Sequence, residues 1–163
     1  MNLQRLFFCC AMIFSLPAYS TVLLNEVDRE VPQYSLPDTQ GKLWTSEAMQ
    51  GKPYIVNFWA SWCPPCVEEL PAMNSLWKKL EPHGVGMLAI NAGEGLPAVN
   101  EFLTRIPIDF PVLIGDGRSL NQWQGRAMPS TYIIDGAGRV VYEAIGPREW
   151  DDEEFVKKML TLL

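Results

Sequence analysis

Two cysteines separated only by two prolines, Cys63-Pro64-Pro65-Cys66, sit at the end of the run FWASWCPPC. Three chemistries fit such a pair: a structural disulfide, a metal clasp, or a dithiol that exchanges with other disulfides. A bridge closing a two-residue loop stabilises little, because the loop-closure gain grows with the length of chain enclosed. A structural metal site needs about four nitrogen or sulfur ligands, and a catalytic one three. Apart from Cys9 and Cys10 near the start, the chain offers two sulfurs and a single histidine, His83. No metal is therefore expected. A redox couple fits better, because the pair follows an apolar, β-prone run directly and opens a helix. At that junction unpaired N–H groups and the helix dipole can stabilise a thiolate. Cys63, at the exposed start, would be the attacking sulfur; Cys66, one turn in, would resolve the mixed disulfide. Prolines suit a first turn, where their missing N–H has no helical partner to lose.

The elements that must hold this pair can be read along the chain. Its 163 residues are enough for one domain with a core of its own. Residues 1–20, MNLQRLFFCCAMIFSLPAYS, have the layout of a cleavable signal peptide: one positive charge at Arg5, an apolar stretch from Leu6 to Leu16, and small residues at Ala18 and Ser20. The apolar stretch is shorter than the roughly 17 residues a spanning helix needs. Export to the periplasm is the expectation; a retained segment would give a membrane-anchored form. Cleavage would remove Arg5, Cys9 and Cys10, leaving 12 basic residues against 19 acidic ones, a net charge of −7. That balance disfavours nucleic acid as a partner. Cys63 and Cys66 would then have only each other, in a compartment where disulfides persist.

Thr21 to Val31 reads as an exposed lead-in, and QYSLPDTQGKLW as a hairpin. Ser46 is placed to cap a single helical turn over Glu47 to Gln50. Tyr54 to Trp59 reads as a strand covered on both faces. The helix from Cys63 carries Leu70, Met73, Leu76, Trp77 and Leu80 at helical spacing, with Pro71 expected to kink it. Strands are expected at Val85–Asn91 and Phe110–Ile114, with helices at Leu96–Arg105 and Ser119–Trp123. Ser130–Ile134 and Arg139–Ile145 flank the turn DGAG as a hairpin, and Trp150–Leu162 closes the chain as an amphipathic helix. This order predicts an α/β domain over residues 21–163, with helices on both faces of a mixed sheet.

FWASWCPPC resembles the active-site signature of the thioredoxin superfamily, and Pro71 matches the kink proline of its active-site helix. Met128-Pro129-Ser130-Thr131-Tyr132 resembles that family's cis-proline loop, which lies beside the cysteines and pairs with substrate backbone. The likeness is closer to the exported TlpA/ResA-like branch, from YSLPDTQGK through VNFWASWCPPCVEELPAM and the extra strand-helix segment GVGMLAINAGEG to MPSTYIIDGAGRVV. The resemblance implies a thioredoxin fold with an N-terminal β-hairpin and an inserted strand-helix segment. It implies a thiol-disulfide oxidoreductase working through a Cys63–Cys66 disulfide without further cofactor, one of whose uses is cytochrome c maturation. Its partners would be a protein client bearing a disulfide and a membrane thiol-transporting reductase of the CcdA or DsbD kind. A monomer is expected.

The same resemblance places Trp62, Pro65, Met128 and Pro129 at the client-binding surface and gives Glu69 a part in the active site. Without the resemblance, Glu68 and Glu69 read as a solvated acidic pair complementing the helix dipole. Asn57 stands where thioredoxin carries a buried aspartate, and an amide cannot take a proton. Glu69 or water would have to serve Cys66 as base.

Electron flow depends on how well the reduced thiolate is stabilised. Pro64 and Pro65 supply no N–H, no His, Lys or Arg flanks the pair, and Glu68 and Glu69 add negative charge. A reductant is expected. Rival readings are a thiol peroxidase of the redoxin type and a copper-binding thioredoxin-like module. Ala60 stands where the peroxidase pattern has Thr or Ser, and the copper pattern uses a wider cysteine spacing with a distant histidine. His83 reads as an exposed turn residue. A disulfide isomerase is a further rival, though such proteins usually carry a dimerisation domain.

Overall fold

In the computed structural model the described residues are 24–162, so the signal-peptide expectation and its two cysteines lie outside them. The elements run β1 (Asn25–Glu30), β2 (Ser35–Pro37), β3 (Leu43–Thr45), β4 (Tyr54–Trp59), α1 (Pro64–Leu80), β5 (Gly86–Asn91), α2 (Leu96–Arg105), β6 (Val112–Ile114), α3 (Ser119–Gln122), β7 (Ser130–Ile134), β8 (Arg139–Ile145) and α4 (Glu153–Leu162). Six strands form one mixed sheet in the order β1-β8-β7-β4-β5-β6, and β2 pairs with β3 as the expected hairpin. β4 lies in the middle, parallel to β5 and antiparallel to β7. Every residue of β4 is buried. This explains a run that is apolar but for Asn57: a central strand covered on both faces has no polar side to alternate with.

Strand parity sorts β4 between two cores. Ile55 and Trp59 join Leu70, Met73 and Leu76 of α1 and Phe155 and Met159 of α4. Tyr54, Val56 and Phe58 join Leu36, Trp123 and Tyr132 on the opposite face. Trp123 sits 5.8 Å from the ring of Phe58 and 5.2 Å from that of Tyr132, tying α3 to β4 and β7. Because side chains alternate, Asn57 must point with Ile55 and Trp59, towards α1. The segment read as an inserted strand-helix unit forms β5, an interior strand, and the turn leading into α2.

Three local expectations change. The stretch read as a lead-in contains β1, an edge strand antiparallel to β8. Its charged sequence NEVDRE hides it, and the open side of β8 makes it a strand. The turn over Glu47–Met49 is a short 3-10 helix capped by Thr45, whose Oγ1 accepts from Ala48 N at 3.2 Å. Ser46 instead donates its hydroxyl to Gln33. The closing helix starts at Glu153, where Asp152 Oδ1 caps the first turn by accepting from Phe155 N at 2.9 Å. α1 runs from Pro64 to Leu80 with Pro71 inside it and exposed.

Candidate active site

Cys63 and Cys66 form a disulfide with their Cα atoms 5.3 Å apart. Cys63 is the N-cap of α1, in extended conformation, and Cys66 lies in the first turn, fully buried. Pro64 and Pro65 occupy the first two helical positions, and Val67 N already donates to Cys63 O at 3.1 Å. Of the four donors a helix start normally leaves open, only that of Cys66 remains. Trp62, just outside, is 64% exposed. A large apolar ring so open beside a buried disulfide is a surface another chain can cover.

The expected loop closes the other side. The Met128–Pro129 peptide is cis, Pro129 is buried, and Met128 packs against the cluster holding both cysteines. Pairing of Phe58 with Ser130 brings this loop to the end of β4 from which the cysteines depart. Ser130 Oγ donates to Ala127 O at 2.6 Å, and Gly146 N to Pro129 O at 2.8 Å, so the loop is held from both ends. Cys63, Cys66 and Met128 share one cluster, with Pro129 following Met128 in the loop and Trp62 and Pro65 adjoining the cysteines along the chain.

Glu69 departs from its plain sequence reading. Glu68 is exposed, whereas Glu69 is only 3% exposed, one turn beyond Cys66 and facing the sheet. Its Oε1 accepts from Asn57 Nδ2 at 2.9 Å; its Oε2 accepts from Trp150 Nε1 at 2.8 Å and from Arg148 N at 3.2 Å. Asn57 Nδ2 also donates to Thr131 Oγ1 at 3.0 Å. Burial pushes the Glu69 carboxyl up to about 7, although donation by Trp150, Asn57 and Arg148 N pulls it down. A buried acid poised near neutrality, on the helical face of Cys66, can exchange a proton there.

Trp150 is the residue that reading the sequence missed as part of the site. Its signal was faint: it read as the first residue of the closing amphipathic helix, with no spacing to tie it to Glu69. Among the described residues no group of His, Cys, Asp and Glu is placed to hold a metal. His83 is exposed in a 3-10 turn after α1, as expected of a turn residue.

A mixed sheet with a cysteine pair at the mouth of its central strand, faced by a cis-proline loop, defines a thiol-disulfide oxidoreductase of thioredoxin fold. The chain belongs to the redoxin family, whose model matches residues 26–160. It is 34% identical over 136 residues to the thiol-disulfide oxidoreductase ResA of Bacillus thuringiensis subsp. konkukian, covering 82% of this chain and 79% of that protein. It is also 34% identical over 118 residues to ResA of Bacillus subtilis, covering 72% of this chain and 66% of that one. Among solved structures, a thiol:disulfide interchange protein of the thioredoxin family from Chlorobium tepidum matches with a TM-score of 0.70 and 31% identity, over 83% of this chain and 99% of that one.

Proposed function

We propose that the protein works as a reductase of protein disulfides. The observation that carries this reading is the first turn of α1, where Pro64 and Pro65 leave a single open N–H for a thiolate. A poorly stabilised thiolate makes the reduced form the better electron donor. In the proposed cycle the Cys63 thiolate attacks a client disulfide lying along Met128-Pro129 and against Trp62 and Pro65. A Cys63–client mixed disulfide forms and one client sulfur leaves as thiolate. Cys66, deprotonated by Glu69, then attacks Cys63 Sγ, the Cys63–Cys66 disulfide forms, and the client's second sulfur departs. Two electrons have passed to the client, and an external dithiol must return them.

The family resemblance adds the setting: export behind the N-terminal segment, a client of the cytochrome c maturation kind, and recharging by a membrane thiol-transporting reductase of the CcdA or DsbD kind. No helix among the described residues is long and apolar enough to cross a membrane. The chain is proposed to act as a monomer without metal. A thiol peroxidase is the reading to exclude, since the redoxin family match alone does not separate it. Ala60 stands where the peroxidase pattern has a hydroxyl, and Cys66 is too close in the helix for the usual separate resolving thiol.

Equilibration with glutathione buffers tests the direction. A potential well below about −200 mV is expected, and one near the roughly −120 mV of a strong oxidant would refute the proposal. Cys66→Ser should accumulate a Cys63–client adduct in cells. Catalytic consumption of peroxide with a thiol donor would favour the peroxidase instead.

A further inference from the structure

The turn between β5 and α2 carries a second carboxylate towards the reactive loop, and the cycle above does not use it. Glu94 Oε2 accepts from Ser61 N at 2.7 Å, and Glu94 Oε1 accepts from Ser61 Oγ at 2.5 Å. Asn91 Nδ2 donates to Glu94 Oε2 at 2.8 Å, and Glu94 N donates to Asn91 Oδ1 at 2.8 Å. Asn91 is fully buried at the end of β5. Both side-chain heteroatoms of Asn91 are thus spent on one residue, and both carboxylate oxygens of Glu94 on the residue preceding Trp62.

The turn that delivers Glu94 is itself fixed. Ala92 N donates to Trp59 O at 2.9 Å, joining it to the last residue of β4. Gly93 has φ +99°, and a Cβ there would lie 2.8 Å from Gly117 Cα. Gly115 N donates to Asn91 O at 3.0 Å, and a Cβ on Gly115 would lie 2.3 Å from that same oxygen. Backbone packed this closely cannot drift, so Glu94 stands as a post beside the loop rather than as a mobile surface acid. Although partial burial works against ionisation, donation by Ser61 and Asn91 outweighs it and holds the carboxyl below its ordinary range.

We propose that Glu94 is a positioning residue for the thiol-disulfide reaction: it clamps Ser61, fixes the backbone that presents Trp62 and Cys63, and sets a carboxylate on the residue that stands two before the attacking cysteine in the chain. This rests on Cys63 being the attacking sulfur. The charge opposes formation of a second anion at Cys63, which favours donation of electrons in the same sense as the missing proline N–H groups. Other charged groups around the pair are Glu68 and Glu69 on α1, Arg148 from the β8–α4 loop, and Arg105 of α2, which shares a cleft with Ser61 and Val67.

Two measurements on the full chain test the assignment. In a Cys66→Ser background, alkylation of Cys63 by iodoacetamide is followed against pH by peptide mass spectrometry. With both cysteines present, the rate of insulin reduction is compared. Glu94→Gln keeps an oxygen for Ser61 N but drops the charge. It should shift the alkylation midpoint towards acid, raising the thiolate fraction at neutral pH about threefold, a change of the size expected for one partly screened charge. Glu94→Ala loses charge and clamp together; it should show the same shift and also reduce insulin about tenfold more slowly. Glu94→Gln should recover most of that rate. Ser61→Ala, which keeps the backbone bond, should leave the alkylation midpoint in place. The assignment is overturned if Glu94→Ala reduces insulin at the wild-type rate, or if Glu94→Gln and Glu94→Ala slow it equally with no shift in the midpoint. Failure of the underlying reading looks different: Cys63 then stays unalkylated in Cys66→Ser with Glu94 intact, and the assignment falls with it.

Discussion

Glu69 and Glu94 approach the cysteine-bearing junction from different elements, one from α1 and one from the β5–α2 turn, and each accepts three hydrogen bonds. Their proton affinities nonetheless move in opposite directions, Glu69 up to about 7 and Glu94 down. The number of donors cannot explain this, since it is the same. Burial explains it: Glu69 lies between helix and sheet with almost no access to water, while Glu94 keeps partial access at a turn. Two carboxylates whose environments push their proton affinities apart can divide the work. Glu69 can carry a proton at neutral pH; Glu94 can only carry charge.

The hardest test of that division is Glu69→Gln. If Glu69 is the base for Cys66, resolution of the mixed disulfide should slow about a hundredfold. The rise of the resolution rate with pH through about 7 should also vanish. Stopped-flow measurement of mixed-disulfide decay reads both, and an unchanged pH profile would return the role to water. The same variant has a stability signature. Burial raises the carboxyl above its ordinary 4.5, so the folded chain holds the proton more tightly than the unfolded one. The stability this supplies is full below pH 4.5 and lost as pH rises through about 7, a fall on the order of 3 kcal/mol. Denaturant unfolding across that window should show the fall in the wild type and a flatter curve in Glu69→Gln.

A smaller effect is expected from Trp150→Phe. It removes the indole donor to Glu69 while keeping a ring against Phe155, whose centroid lies 5.3 Å away. The lost bond lowered the carboxyl's proton affinity, so the midpoint of the resolution profile should move about one pH unit towards alkali. No movement would mean that Trp150 only fills space. His83→Ala, on the exposed turn after α1, should change neither turnover nor copper binding by the reduced protein, and stability by less than about 0.5 kcal/mol. Loss of a copper site in that variant would revive the metal-carrying reading.

Much of this geometry could be read from the chain. β4, α2, β7 and β8 have the bounds their patterns predict, because strong apolar periodicity and turn residues mark both ends of each. Even the direction of Asn57 follows from parity, since it shares a face with Ile55 and Trp59. Cys63, Cys66, Met128 and Pro129 were legible through motifs. β1 was not, because an edge strand of charged residues owes its conformation to β8 rather than to its own pattern. The partners of Glu69 were not legible either: Trp150 is 81 residues away, and no local rule links them. Glu94 left a trace, the Asn91-to-Glu94 spacing at a strand end, but its bond to Ser61 spans two separate elements.

The sheet's two rims have a further bearing on how the molecule behaves when crowded. One rim is β1, which sets Glu26, Asp28, Arg29 and Glu30 along its length, with Arg29 bound to Glu143 and Arg139 to Asp28 across the pair. The other is β6, three residues long and bridged at Leu113 by Asp38 of the hairpin loop. A rim that is charged, or short and already bridged, gives a second copy no flat row of backbone groups to join. Edge-to-edge growth of the sheet into fibres is thereby blocked at both ends.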